Sequence, residues 1–257
     1  MNETVVTWSR RIRRRCAQAG GLLLTFALVG LATACSREPS EKNLRSQATS
    51  PAAKSRRAVE EQKMRSLIER LAAVEGLEHV LTRLTDSCAR PYNGSLFENN
   101  RSPYVLTCSM GAVAYFGVRG DITDVLPRIR AAGIAAWGPQ DGEGQDMPYA
   151  AGTVTYALDY HRARGRRPDG TLMSAPALAA AGLRIDWDRP DLPLPNLIEE
   201  PGPCPPDGFF IYRRCLTAPA SPMSVAAARA RHGTVLSFSL GGLASSGHDY
   251  FTVPRRA

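Results

Sequence analysis

Ser245, Ser246, His248 and Asp249, in the run SSGHDY, are the residue types of a nucleophilic triad. A triad needs three side chains converging from separate elements, and these four are so close in sequence that they read as a polar turn before a last strand. His161 opens a second run, HRARGRRPDG, with Arg162, Arg164, Arg166 and Arg167. Arginines grouped in this way can clamp phosphate or carboxylate bidentately, and beside a membrane an anionic headgroup. Charge runs also serve as solvated faces, and both readings stand. Asp141, Glu143 and Asp146 offer oxygen ligands among glycines, but their spacing lacks the distal bidentate glutamate of a calcium loop. His79 and His232 fall near expected helix ends, where capping is the usual role. No G-x-S-x-G, H-E-x-x-H or P-loop pattern is present.

The leader carries more information than these sites. Arg10, Arg11, Arg13, Arg14 and Arg15 precede an apolar run from Leu22 to about Ala34, which closes as Leu31-Ala32-Thr33-Ala34-Cys35. A membrane-spanning helix needs roughly 20 apolar residues; this shorter run reads as the apolar region of a signal peptide. Small residues just before a cysteine, after a basic stretch and an apolar run, resemble the lipobox of a bacterial lipoprotein precursor. The abundance of Ala, Gly and Pro is similar to that of lipoproteins encoded by high-GC actinobacterial genomes. The resemblance implies cleavage before Cys35, diacylglycerol on its thiol and acylation of the new N-terminus, so that the protein works outside the cytoplasm on a membrane. Ser9-Arg10-Arg11 hints at twin-arginine export, but more arginine stands where an apolar residue usually follows the pair, and Sec export is the safer reading. In a bacterial lipoprotein, Asn93-Gly94-Ser95 and Asn100-Arg101-Ser102 match the glycosylation pattern by accident.

Cysteine usage points the same way. With Cys16 in the leader and Cys35 lipidated, Cys88, Cys108, Cys204 and Cys215 remain, an even number suited to an oxidising compartment. The local pairs, Cys88 with Cys108 and Cys204 with Cys215, close short loops and are the expected disulfides. Neither pair has zinc-type spacing, so no metal and no cofactor is expected.

The formal charge of +8 includes a leader with five arginines and one acid, which leaves about +4 on the mature chain. Most of that lies between Arg37 and Lys63, and beyond Met64 the charge is nearly balanced. A nucleic-acid partner is therefore not expected. These observations divide the chain into a signal peptide (1–34), a lipid anchor with a disordered linker (35–58) and one extracytoplasmic domain (59–257). The linker is assigned on its near lack of large apolar side chains, which leaves nothing to offset ordering entropy.

Within the domain, Met64, Leu67, Ile68, Leu71, Val74, Leu77, Val80, Leu81 and Leu84 recur at three- and four-residue steps, predicting one amphipathic helix over 59–86. A β-rich run predicts a strand over 104–118, with Gly111 marking a bulge or turn. Asp121 then caps a helix that Gly133 stops. Strands are expected over 153–160 and 183–187, an Ala-rich helix over 175–181, and a strand, helix, strand series over 208–216, 221–231 and 234–240, with a short strand at 250–253. The whole is α+β, a mixed or antiparallel sheet with helices mainly on one face; a ferredoxin-like arrangement is compatible with it. Function is expected to be non-catalytic, a binding or structural role at the cell envelope through the membrane anchor and an envelope protein or anionic surface. The alternatives are an exported hydrolase using His161 or His248 with a carboxylate, and a carrier of a small ligand in an apolar cavity.

Overall fold

Ser40 and Ser50 are extended residues whose hydroxyls accept from the backbone N–H three positions on, Asn43 at 3.3 Å and Ala53 at 3.2 Å. Both act as N-caps. They start α1 (Glu41–Ala48) and α2 (Pro51–Ala72), with Pro51 at the first helical position, where its missing N–H costs nothing. A computed structural model of the chain describes residues 38–91, 102–134, 137–138, 143, 152–180, 183–204, 208–241 and 249–255. Cys35, the leader, Asn93, Asn100, Asp141, Asp146, Ser245, Ser246 and His248 lie outside the described residues.

The linker expected over 35–58 is corrected: Glu38 opens the compact unit that runs to Ala257, and the chain is helical from Glu41. Leu44, Ala48 and Ala53 are fully buried and Arg57 is 7% exposed. Small alanines bury completely, and a paired arginine takes a core position that a hydrophobicity count scores as polar.

The helix expected over 59–86 is also corrected. It ends at Ala72, and Gly76, at φ +92° with a Cβ position only 2.8 Å from Val125, turns the chain into strand β1 (Leu77–Ala89). A β-bulge between His79 and Leu81 explains the false helical period. The bulge adds one residue, so Leu77, Val80, Leu81 and Leu84 are all buried at helix-like steps although they belong to a strand.

The remaining elements are β2 (Tyr104–Val118), α3 (Ile122–Ala131), α4 (Val154–Arg162), β3 (Leu178–Ala180), β4 (Leu183–Trp187), β5 (Phe210–Ala218), α5 (Val225–His232), β6 (Thr234–Gly241) and β7 (Asp249–Pro254). They form an α+β unit whose sheet has the order β3-β4-β6-β2-β1-β5, with β7 beside β2 and every pairing antiparallel. Two segments differ from expectation. The residues 153–160 are rich in β-branched and aromatic types, yet Thr153 accepts from Tyr156 N at 3.1 Å and caps helix α4 instead of starting a strand. The Ala-rich stretch at 175–181 supplies strand β3, whose pairing with β4 outweighs the helix preference of alanine.

Register divides the side chains between two faces. Leu84, Ala112, Leu216 and Leu240 share one face with Phe116, Phe238 and Trp187, and α1, α2, α3 and α4 cover it as the main core. On the other face Leu81, Tyr115 and Val235 meet Val225 and Ala228 of α5 in a smaller core. The disulfides pair locally: Cys88 with Cys108 between facing strand positions, and Cys204 with Cys215 across a separation of 11 residues.

Candidate functional site

The arginine run leaves the end of α4 and closes a small loop through a bridge between Arg166 and Leu172. All four arginines are exposed. Arg162 pairs with Asp159 at 3.0 Å, and Arg166 donates to the Gly170 carbonyl at 3.0 Å. Asp169 accepts from the N–H and hydroxyl of Thr171 at 2.9 and 2.7 Å, which holds its carboxyl below the usual range. His161, next to the run in sequence, points elsewhere: its Nε2 accepts from the Trp187 indole N–H at 2.9 Å. Burial, reinforced by Arg189, keeps the imidazole below its ordinary pKa, against a weak opposing pull from Asp121. The lone pair that a general base would use is thus engaged by an indole.

The fold also assembles two buried charge clusters that sequence reasoning missed. In the first, Asp86 of β1 is fully buried. Its Oδ1 accepts the Tyr250 hydroxyl at 2.6 Å, and its Oδ2 lies 2.6 Å from Arg57 Nε and 3.5 Å from Arg214 Nε. The Arg57 Nε–H itself points at the Tyr250 oxygen, 3.2 Å away, so charge rather than an aligned N–H holds that oxygen of Asp86. Arg57 also donates to the Ala48 carbonyl at 3.0 Å and stands 4.4 Å over the Tyr212 ring. Glu61 completes the cluster on Arg214 at 2.7 Å and Arg65 at 2.6 Å, and these guanidiniums hold its carboxyl below the ordinary value. Burial and the neighbouring Asp86 push the Tyr250 phenol far up. The cluster fastens α2 to β1, β5 and β7.

In the second, Asp188 just after β4 accepts four hydrogen bonds. Arg229 Nε and Nη2 each reach it at 3.0 Å, and the N–H groups of Ile198 and Val235 reach it at 2.8 Å. This fork joins α5, β6 and the segment 189–200. Arg189 and Asn196 both donate to Asp186, at 2.9 and 3.2 Å, and close the base of that segment. The only sequence signal for either cluster is indirect: an acidic residue in or next to an otherwise apolar strand.

The Asp188 fork at Ile198 and the disulfide at Cys204 hold the segment 196–203 as an arm across the sheet face opposite the main core. Between arm and sheet is an open groove of about 580 Å³. Its floor carries Arg83, Thr85, Tyr115 and Ser237, and Glu199 and Glu200 of the arm form one wall. Burial, with Glu200 nearby, raises the Tyr115 phenol above its ordinary range. The groove is mixed in character: Val113 interrupts the polar floor, the arm adds Leu197 and Ile198 beside the glutamates, and both signs of charge are present, a surface suited to an extended partner with both polar and apolar groups. Among the described residues no three metal-ligating side chains converge. In comparisons with known proteins, the chain matches no family model, no curated protein and no solved structure.

Proposed function

We propose that this chain is a bacterial lipoprotein, anchored through Cys35 on the extracytoplasmic face of a membrane, that acts by non-catalytic association at the cell envelope. The observation that carries the reading is the pair of disulfides in the folded unit, since such bonds persist in oxidising compartments and are rare in the cytosol. The use of these polar groups supports a non-catalytic role: Asp188 accepts four hydrogen bonds from the fold itself, Oδ1 of Asp86 accepts from Tyr250 while its Oδ2 is held by the charges of Arg57 and Arg214, and Nε2 of His161 accepts from Trp187. The groove under the 196–203 arm is the association surface that this reading favours.

The reading also changes how the domain is held. The folded unit starts at Glu38, so a tether from Cys35 contains only Ser36 and Arg37, at most about 11 Å of extended chain. Glu38 is tied back by Arg90 at 3.7 Å and Arg255 at 3.4 Å. The domain would stand against the headgroups and not on a long spacer. Membrane fractionation tests the proposal: the native chain partitions with membranes, and Cys35→Ala leaves a released protein or an uncut precursor. A native chain found wholly in the soluble fraction would refute it.

A further inference from the structure

The β-bulge at Val80 has an effect on the opposite face of β1. In a regular strand, residues three apart point to opposite faces. Here His79 lies opposite Phe116 and Thr82 opposite Ala114, so the extra residue brings both side chains to the α2 side of the sheet. His79 Nε2 and Thr82 Oγ1 are 2.9 Å apart. Bulges commonly re-aim a side chain in this manner beside functional sites.

The pair stands in the wall of a cavity of about 220 Å³ between α2 and strands β1 and β5. Met64, Ile68, Leu84 and Leu216 supply the apolar walls, and Arg65 and Glu69 stand at the rim. An apolar cavity of about 150 Å³ is enough to take up benzene, so this one has room for a substituted ring. It is smaller than the pockets that enclose drug-sized molecules, about 300 Å³ and upward.

The polar pair decides what the ligand carries. Thr82 is 7% exposed, and its hydroxyl meets only His79 among the hydrogen bonds of the described residues. If the threonine donates to the imidazole, its lone pairs remain to accept; if the imidazole donates, its proton remains to give. A ligand hydroxyl, both donor and acceptor, satisfies either arrangement. A charged head is disfavoured, because burial keeps His79 below its ordinary pKa and neutral, and Arg65 is already held by Glu61 at 2.6 Å while Glu69 leaves a negative charge at the rim.

We propose that this cavity is a binding site for a small neutral apolar molecule bearing one hydroxyl, of the size and kind of a phenol, recognised by Thr82 backed by His79. The site stands apart from the arm groove and does not depend on lipidation.

The test is NMR titration of the isotope-labelled full chain carrying Cys35→Ser, with phenol, benzene and benzoate as probes. Phenol is expected to shift the amides of His79, Thr82 and Leu84 saturably, with a Kd in the millimolar range or below. It should bind about three- to tenfold more tightly than benzene, the value of one hydrogen bond, and benzoate should not bind. Thr82→Val should bring phenol to the level of benzene. Ile68→Phe, which fills the cavity, should abolish both, and Leu216→Phe serves in its place if that variant does not fold. Absence of saturable shifts with phenol, equal binding of phenol and benzene, or phenol binding unchanged in the filled variant would each overturn the proposal.

Discussion

Replacing Asp86 with asparagine keeps the shape of the side chain and removes its charge. Arg214 would retain Glu61 at 2.7 Å, but Arg57, 7% exposed, would lose its carboxylate and face a second guanidinium across the amide. Two unit charges about 4 Å apart interact by about 4 kcal/mol at an effective dielectric of about 20. Loss of one partner of a buried pair costs about 3–5 kcal/mol by experience with such sites. The two figures agree, and the cost is a large part of a domain stability of about 5–15 kcal/mol. Urea denaturation followed by circular dichroism reads it directly. With a slope of about 2 kcal/mol per molar, the midpoint of Asp86→Asn should fall by about 2 M. The double variant Arg57→Met with Asp86→Leu removes the buried pair and should recover much of that loss. A loss below about 1 kcal/mol for Asp86→Asn would refute the argument that this cluster is a desolvated ion pair rather than a hydrated one.

Asp188→Asn should cost a similar amount, about 3–5 kcal/mol, because an amide nitrogen would face an N–H donor in a fork that accepts four hydrogen bonds; hydrogen exchange should show the loss first at Ile198 and Val235. Replacing Cys204 and Cys215 together with serine frees a loop spanning 11 positions. It should lower stability by about 3 kcal/mol on the chain-entropy account, while raising protease cleavage within 196–203. The histidines set a pH dependence of definite sign. His79 and His161 have folded pKa values below 6.5 through burial, so on acidification the unfolded chain takes up protons first and stability falls from about pH 6.5 downward. His79→Gln and His161→Gln should each flatten that slope, as measured by thermal melts between about pH 7 and 5. The carboxyl of Glu61 is depressed below 4.5, so its contribution is full above that pH and lost as pH falls towards the folded value, and Glu61→Gln should remove only this acid limb.

Strands with a clean apolar pattern are legible in the sequence itself. β2 and β4 occupy the expected residues, Asp121 caps α3, and the two cysteine pairs close where local spacing placed them. Four segments depart from expectation, each for one physical reason; one is the Ala-rich stretch at 175–181, which pairing with β4 makes strand β3. A single bulge residue gives β1 the burial period of a helix, and only cross-strand register reveals that. Thr153 has the β propensity of a branched residue, but its decisive property is a hydroxyl that caps α4. The segment 41–58 is poor in large apolar residues, yet it is fixed by Leu44, two small alanines and an arginine neutralised by Asp86 from across the fold. Long-range partners of this kind leave no local trace. The clusters at Asp86 and Asp188 are illegible for the same reason, since the arginine that answers each carboxylate lies 29 positions away for Arg57 and 41 for Arg229. The arginine run is legible as a run, and its exposure is one of the two readings it allows, but the partners on which its charges are partly spent, Asp159 and a carbonyl, are not.

Intact-mass and N-terminal peptide analysis of the chain recovered from bacterial membranes tests the central claim most directly. The account predicts a mature protein that begins at Cys35, carries a diacylglyceryl group on that thiol with acylation of its amine, and retains both disulfides. A chain that begins elsewhere, or one that carries Cys35 as a free thiol, would contradict it.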